Sequence, residues 1–251
     1  MLHLIHRALL ATPLTRRLHR KSLVYIKQSL GYSDPYDDIE AVVQSTKPSA
    51  ILDIGSHIGK TIHRMSEFRG HTPIHGFEPT PDSFKKLKKR FQKDRLVSVH
   101  QLALSDRTGT CIIQCNKNEQ TNSLLQNGCG NNEILAEATR NVGTVEVPTM
   151  TLDQWFFESG IHGGIVIKCD VQGAEGLMLA GAEKVFSSNV YAFYSEAQIA
   201  PMYEEQIAFH ELNRRLTTDF DFSLANIYPC FRDQSGRALQ TDALWIRNDK
   251  F

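Results

Sequence analysis

The sequence predicts an α/β fold: a sheet of about seven strands, mostly parallel, with an antiparallel C-terminal hairpin and helices on both faces. Three observations carry this. From Ser49 onward, short apolar runs alternate with amphipathic helical patterns, as βαβ units require. Two late apolar runs are separated by the turn-rich stretch Arg232–Gly236, which suits an antiparallel pair. The 251 residues are 41% hydrophobic and 22% charged. That composition supports a packed core and excludes a disordered, collagen-like or membrane-spanning chain.

Strands are expected at Ala50–Ile54, Ile74–Phe77, Val97–Leu104, Ile165–Cys169, Val190–Tyr194, Phe222–Ile227 and Ala243–Arg247. Helices fit between them. Lys60–Phe68 follows the first strand. Thr80-Pro81-Asp82 opens the next helix, with Thr80 as N-cap and Pro81 at the first helical position. That helix sets Phe84, Leu87 and Phe91 on one face and Lys85, Lys86, Lys88 and Lys89 mostly on the other. A lysine face of this kind reads as solvated, not as a nucleic-acid surface. Ala174–Phe186 and Tyr203–Leu216 supply later helices. Between about 107 and 160 the pattern loosens into Cys, Asn, Gly and Thr. This is read as an insertion: a strand at Thr110–Cys115, a mobile stretch through Asn116–Asn132, and a returning strand at Thr144–Pro148. Residues 1–48 form an N-terminal basic helical segment and 49–251 the main domain.

Lys plus Arg and Asp plus Glu both number 28, so net charge does not point to nucleic acid. The balance is uneven. Residues 1–33 hold six basic residues and no acid, and 28 less those six leaves 22 basic against 28 acidic residues elsewhere. The segment is broken by His6, Arg7 and Pro13 and lacks the apolar run of a spanning helix or signal peptide. It is expected to pack as a helix pair, with a basic interfacial helix at a membrane surface as the other reading. Five cysteines (Cys111, Cys115, Cys129, Cys169, Cys230) form no disulfide framework or zinc box, so a cytoplasmic location is expected.

In an open α/β sheet, ligands bind beyond the carboxyl ends of the strands. The first such tip reads Asp53-Ile54-Gly55-Ser56-His57-Ile58-Gly59-Lys60-Thr61. Its glycine spacing is one residue short of a phosphate loop and differs from the dinucleotide fingerprint. It matches Asp-x-Gly-x-x-x-Gly, the loop that in many methyltransferases holds S-adenosylmethionine. There the turn Gly55, Ser56, His57 and Gly59 receives the methionyl part, and Asp53 meets its ammonium. The second tip, Gly76-Phe77-Glu78-Pro79, ends in a carboxylate suited to accept both ribose hydroxyl protons. At the third, Ala103 and Leu104 are expected to flank an adenine ring. The fourth, Ile167-Lys168-Cys169-Asp170-Val171-Gln172-Gly173-Ala174-Glu175, puts Lys168 and Asp170 on one side of the strand. A lysine there needs a carboxylate partner, with Asp170, Asp53 or Glu196 as candidates.

The ordered set Asp-Ile-Gly-x-x-x-Gly, Gly-Phe-Glu-Pro-x-Pro, Ala-Leu-Ser-Asp-x-x-Gly, Thr-Leu-Asp and Ile-Lys-x-Asp-Val-x-Gly-x-Glu resembles the FkbM family of methyltransferases. The resemblance runs from about Ala50 to Leu244. It implies a class I methyltransferase (Rossmann-like) sheet, S-adenosylmethionine as cofactor, and methylation of a hydroxyl, often on a sugar. Two positions depart from the family, which usually has Asn at His57 and Glu at Gln172. If that Glu serves the family as base, Gln172 does not replace it.

A sugar hydroxyl needs a general base, which typically contributes about 10²–10⁴-fold. Asp170 is the first candidate and Glu196 its assistant; Glu175, His57 and His210 are weaker ones. A rival reading makes Asp170 and Glu196 ligands for Mg²⁺ or Ca²⁺, and a third pairs Asp170 with Lys168 as a plain ion pair. Trp155, Tyr203, Tyr228 and Phe231 are either core aromatics or platforms for a sugar ring. The expected function is O-methylation of a sugar, glycan or glycolipid, with nucleic acid excluded. Membrane contact through the N-terminus and homo-oligomer formation stay open. The alternatives are methylation of a small secondary metabolite, at oxygen or nitrogen, and a non-catalytic S-adenosylmethionine-binding module.

Overall fold

A computed structural model describes residues 34–128, 136–137 and 139–250. The expected N-terminal helix pair and Cys129 lie outside the described residues. Helix α1, Pro35–Thr46, opens the described chain: the Asp34 carboxylate accepts from the Tyr36 N–H and Pro35 takes the first helical position. Ile39, Val42 and Val43 then fall on one face and are buried, the spacing of an amphipathic helix.

The strands β1 Ala50–Ile54, β2 Ile74–Phe77 and β3 Val97–His100 run parallel, and β7 Ile165–Cys169 and β8 Val190–Gln198 extend the sheet from the other side of β1. β9 Phe222–Ile227 and β10 Phe231–Arg232 both pair antiparallel with β11 Ala238–Arg247, which lies antiparallel on β8. The result is an eight-stranded sheet in the order β10-β11-β8-β7-β1-β2-β3, with β9 also on β11. β1, β2 and β7 match their expected ranges, and the late antiparallel pairing appears on the expected side of the sheet. β1 is buried at every position, as a strand covered on both faces should be.

Side chains divide by alternation. Ile51, Ile74, Val166 and Ala192 face α1, α2 (Lys60–Ser66) and α3 (Pro81–Phe91). Leu52, Ile54, Ile167, Phe193 and Trp245 face α4 (Leu152–Ser159), α5 (Glu175–Ala180), α6 (Glu183–Ser188) and α7 (Phe209–Arg214).

Several sequence expectations change. The run expected as one strand over Val97–Leu104 breaks after His100: β4, Ala103–Leu104, leaves the main sheet and pairs parallel with β6 (Asn141–Met150). β5, Gly109–Asn116, lies antiparallel on β6, so the insertion is a small three-stranded sheet. The helix expected over Ala174–Phe186 parts into α5 and α6 at Gly181, a poor helix former. The helix expected from Tyr203 begins only at Phe209 and ends in a wider π turn at Arg215–Asp219. Helix α4, inside the presumed insertion, was not expected. The Thr80 hydroxyl does not cap α3; it is turned instead to the Glu78 carboxylate.

Asp38 fastens α1 to the hairpin side of the sheet. Its Oδ2 accepts from the Tyr228 hydroxyl at 2.7 Å and from Asn226 Nδ2 at 2.9 Å. The Asp38→Ala substitution leaves the buried Tyr228 hydroxyl without this acceptor and is expected to cost about 1–3 kcal/mol, read from urea unfolding; an unchanged midpoint would show that α1 is held by apolar contacts alone.

Candidate functional site

A cavity of about 510 Å³ opens at the carboxyl ends of β1, β2, β7 and β8, a size typical of small-molecule sites. Its first wall is the turn after β1. Gly55 adopts φ +83°, and a Cβ there would meet the Asp170 carbonyl oxygen at 1.8 Å, so only glycine lets the turn lie against β7. Gly59, at φ +78°, ends the turn beneath α3, where a Cβ would meet Phe91 and Leu87 at 2.4 and 2.7 Å. Ser56 is buried, its hydroxyl donating to the Asp53 carbonyl at 2.8 Å. Gly55, Ser56 and His57 line the cavity; Gly59 does not.

Glu78 anchors this wall. Its Oε2 accepts from the His57 backbone N–H at 2.8 Å, and its Oε1 from the Thr80 backbone N–H at 2.9 Å and from the Thr80 hydroxyl. A carboxylate has about four acceptor positions; three are occupied, which leaves room for one incoming hydroxyl where the sequence argument gave it two. Pro79, Ala103 and Leu104 line the same side, with the two β4 residues buried.

Asp53 is placed differently from expectation. It is fully buried, and its Oδ1 lies 3.3 Å from Lys168 Nζ. Among the described residues, neither carboxylate oxygen has a further close hydrogen-bond partner, and Asp53 does not line the cavity. The β1–β7 register sets Asp53 directly beside Lys168, so the charge expected to meet a ligand ammonium meets the lysine instead. Lys168 Nζ also lies 3.3 Å from the Gly55 carbonyl and 3.6 Å from Asp170 Oδ2. Of the three candidate partners it takes two, Asp53 and Asp170, and not Glu196. Burial pushes the Asp53 carboxyl up, opposed by the Lys168 charge. Burial also opposes the lysine charge, but Asp53 and Asp170 outweigh it and hold the ammonium well above its ordinary value.

The opposite wall carries Asp170 and Glu196. The Asp170 side chain is 39% exposed and Glu196 is buried within β8, which runs on to Gln198 past the expected tip. Gln172 joins them: its Nε2 lies 2.7 Å from Asp170 Oδ1 and 2.9 Å from Glu196 Oε2. Gln240 Nε2 donates to Glu196 Oε1 at 2.6 Å, and Gln198 Nε2 lies 3.4 Å from Oε2. Burial, then the nearby Asp170, Glu175 and Asp242, push Glu196 well up. Exposed Phe231 lines the cavity beside Gln240, its partner across the β10–β11 pair.

Glu175 and His210 stay out of the cavity wall. Glu175 is buried, accepting from the Val171 N–H at 3.1 Å to fix the turn after β7; His210 lies exposed on α7. Trp155 packs edge-on against His75, Phe77 and His100, and Tyr228 holds Asp38, so both are structural. The sequence argument missed the roof. Residues 118–124 line the cavity, with a short 3₁₀ turn at Glu119–Thr121 and a bridge between Gln114 and Ser123. The stretch expected to be mobile is thus ordered as far as Gly128; residues 129–132 lie outside the described residues. A cluster of Asn, Gln, Thr and Ser had been the one available signal. Among the described residues, no three His, Cys, Asp or Glu side chains converge as a metal site, the cysteines are free, and no helix is long and apolar enough to cross a membrane.

Residues 53–224 match the methyltransferase FkbM domain. The 2-O-methyltransferase NoeI of Sinorhizobium fredii (strain NBRC 101917 / NGR234) is 26% identical over 209 residues, 80% of this chain and 79% of its own. Among solved structures, the methyltransferase domain of bacterial CtHen1 superposes with a TM-score of 0.46 at 10% identity, covering 84% of this chain and 97% of that one. Aeropyrum pernix fibrillarin, in complex with natively bound S-adenosyl-L-methionine, gives 0.45 at 12% identity, covering 80% and 68%.

Burial pushes Glu175 up from 4.5 to about 7. Between those values the folded chain keeps a proton that the unfolded chain has released, so stability falls as pH rises through that window. Glu175→Gln retains an acceptor for the Val171 N–H and removes the titration. It is expected to exceed the parent by about 3 kcal/mol at about pH 8 and to equal it at about pH 4, read from urea unfolding at both; parallel pH curves would refute this.

Proposed function

The chain belongs to the FkbM family of methyltransferases, and from that premise we propose that it transfers the methyl group of S-adenosylmethionine to a hydroxyl of a sugar or glycan. The carrying observation is a single cavity with a ribose-type carboxylate, Glu78, on one wall and the Asp170–Glu196 pair on the other. S-adenosylmethionine, when bound, supplies a methyl group on a positively charged sulfur, ready for in-line displacement. The residues fit it: the glycine turn and Glu78 form one side, and apolar Ala103 and Leu104 suit the adenine.

Oxygen is favoured as the acceptor atom because the relative from Sinorhizobium fredii carries the name 2-O-methyltransferase. Asp170 is the base in this reading. It is the more exposed of the two carboxylates, it lines the cavity, and Lys168 at 3.6 Å supplies a counter-charge. A proton leaving the acceptor hydroxyl would pass to its carboxylate as the oxygen attacks. Glu196, buried and pushed up, orients the acceptor instead of taking its proton. A sugar suits the remaining wall, where the Gln240 amide meets polar groups and the Phe231 ring offers a stacking face.

Calorimetry with S-adenosylhomocysteine tests the cofactor side: Glu78→Ala is expected to weaken binding about 10–100-fold, and failure of the parent chain to bind would end the proposal. Labelled methyl transfer onto sugar, glycan and glycolipid extracts tests the acceptor. With an acceptor in hand, Asp170→Asn should lower kcat about 10²–10⁴-fold; full turnover would remove Asp170 as base. Phe231→Ala should raise the acceptor KM about 3–10-fold with S-adenosylhomocysteine affinity intact, and an unchanged KM would take the ring out of the acceptor site.

A further inference from the structure

Gln172 has a conformation and a set of partners that the proposed chemistry does not by itself explain. Its backbone sits at φ +55°, a left-handed value that costs a residue bearing a Cβ about 1–2 kcal/mol. Its carbonyl accepts from the Ser123 hydroxyl at 2.7 Å. Its side-chain Oε1 lies 3.1 Å from the Tyr203 hydroxyl, and Tyr203 is buried. Those contacts fix the amide so that its two N–H bonds point one to Asp170 and one to Glu196, at 2.7 and 2.9 Å.

Two carboxylates held toward one point repel each other unless something positive or hydrogen-bearing lies between them. A divalent cation is one solution, taking only oxygen ligands at about 2.0–2.6 Å. The amide is the other, because its –NH₂ carries two hydrogens and no acceptor. In this chain the amide nitrogen occupies the position between the carboxylates that a bridging cation would need.

We propose that Gln172 is a positioning residue that stands in place of a bridging cation, holding Asp170 and Glu196 together and making the acceptor side of the site independent of a divalent metal. Replacing the amide by a carboxylate removes the two donors and adds a third set of oxygens. The Gln172→Glu chain should therefore create the cation site that the parent lacks.

The kinetic part of this inference rests on the proposed methyl transfer; the cation part does not. Mn²⁺ is titrated into the parent chain and Gln172→Glu, with free Mn²⁺ followed by electron paramagnetic resonance. Gln172→Glu should bind at least about 100-fold more tightly than the parent, since affinity follows the number of charged oxygen ligands. Equal affinities would overturn the proposal. Should Gln172→Glu not fold, the parent alone decides: turnover unchanged by EDTA supports the proposal, and turnover abolished by EDTA and restored by Mn²⁺ overturns it. Gln172→Ala supplies the readout that a merely structural role would not move. Loss of the shared donor should shift the acid limb of the kcat–pH profile upward by about one unit, with S-adenosylhomocysteine affinity unchanged. A profile that keeps its position while falling in height would show that Gln172 only supports the turn. Failure of S-adenosylhomocysteine to bind the parent would refute the methyl-transfer reading and leave the Mn²⁺ comparison standing.

Discussion

The buried pairing of Lys168 with Asp53 is the constraint on which the site depends. An ammonium inside a sheet is costly unless its charge is met and its hydrogens are used. Lys168 satisfies this with Asp53 on β1, the Gly55 carbonyl at the start of the turn, and Asp170 at the end of its own strand. One side chain thus ties three pieces of backbone. The pairing also fixes register, because a one-residue slip between β1 and β7 would turn one partner to the opposite face. β1 and β7 are the strands from which the sheet grows in opposite directions, β2 and β3 on one side and β8 and β11 on the other. A crevice forms at such a switch point, and the ion pair lies beneath it.

The two walls solve the same electrostatic problem in different ways. On the β2 side, Glu78 is surrounded by backbone N–H groups and a hydroxyl, donors that bring no net charge. On the β8 side, Glu196 is surrounded by the amides of Gln172, Gln198 and Gln240. Those amides give Glu196 hydrogen-bond partners but no counter-charge, so burial and the neighbouring acids still push its carboxyl well up. Lys168, almost wholly buried, reaches the cavity wall beside Asp170 and meets Asp53 on its inner side, where Asp53 itself does not line the cavity.

The parallel strands were legible because each is a short apolar run bounded by turn residues, and the placing of Gly55, Glu78, Ala103, Leu104, Asp170 and Glu196 around one cavity was legible because they lie at the ends of those runs. The sequence left the partner of Asp53 open for a reason of geometry. Alternation within one strand relates Lys168 to Asp170, but whether the lysine also meets Asp53 or Glu196 depends on inter-strand register, which periodicity does not report. The division of Val97–Leu104 between two sheets was hidden for a similar cause: β4 continues an apolar pattern while changing its partner to β6. The role of Gln172 was hidden because a neutral residue in place of an acid reads as a loss until its two hydrogens are seen to be used.

The roof over the cavity shows why composition alone misjudges an insertion. Residues 118–124 have few apolar side chains to bury, which suggested mobility. Their order comes from side chains bonded to backbone: Asn116 Nδ2 donates to the Thr121 carbonyl at 2.6 Å, and the Asn116 N–H to Asn122 Oδ1 at 2.7 Å. Such bonds satisfy a loop that lacks a core of its own. They also connect it to chemistry. Ser123 holds the Gln172 carbonyl, the Tyr203 hydroxyl lies 3.2 Å from the Thr121 carbonyl, and Glu119 lies 3.8 Å from His57. The insertion therefore touches one cavity wall at His57 and the opposite wall at Gln172. Since the Asp53–Lys168 pair is built entirely from the sheet, changes in the roof reach the carboxylates through Gln172 while leaving the scaffold beneath them intact.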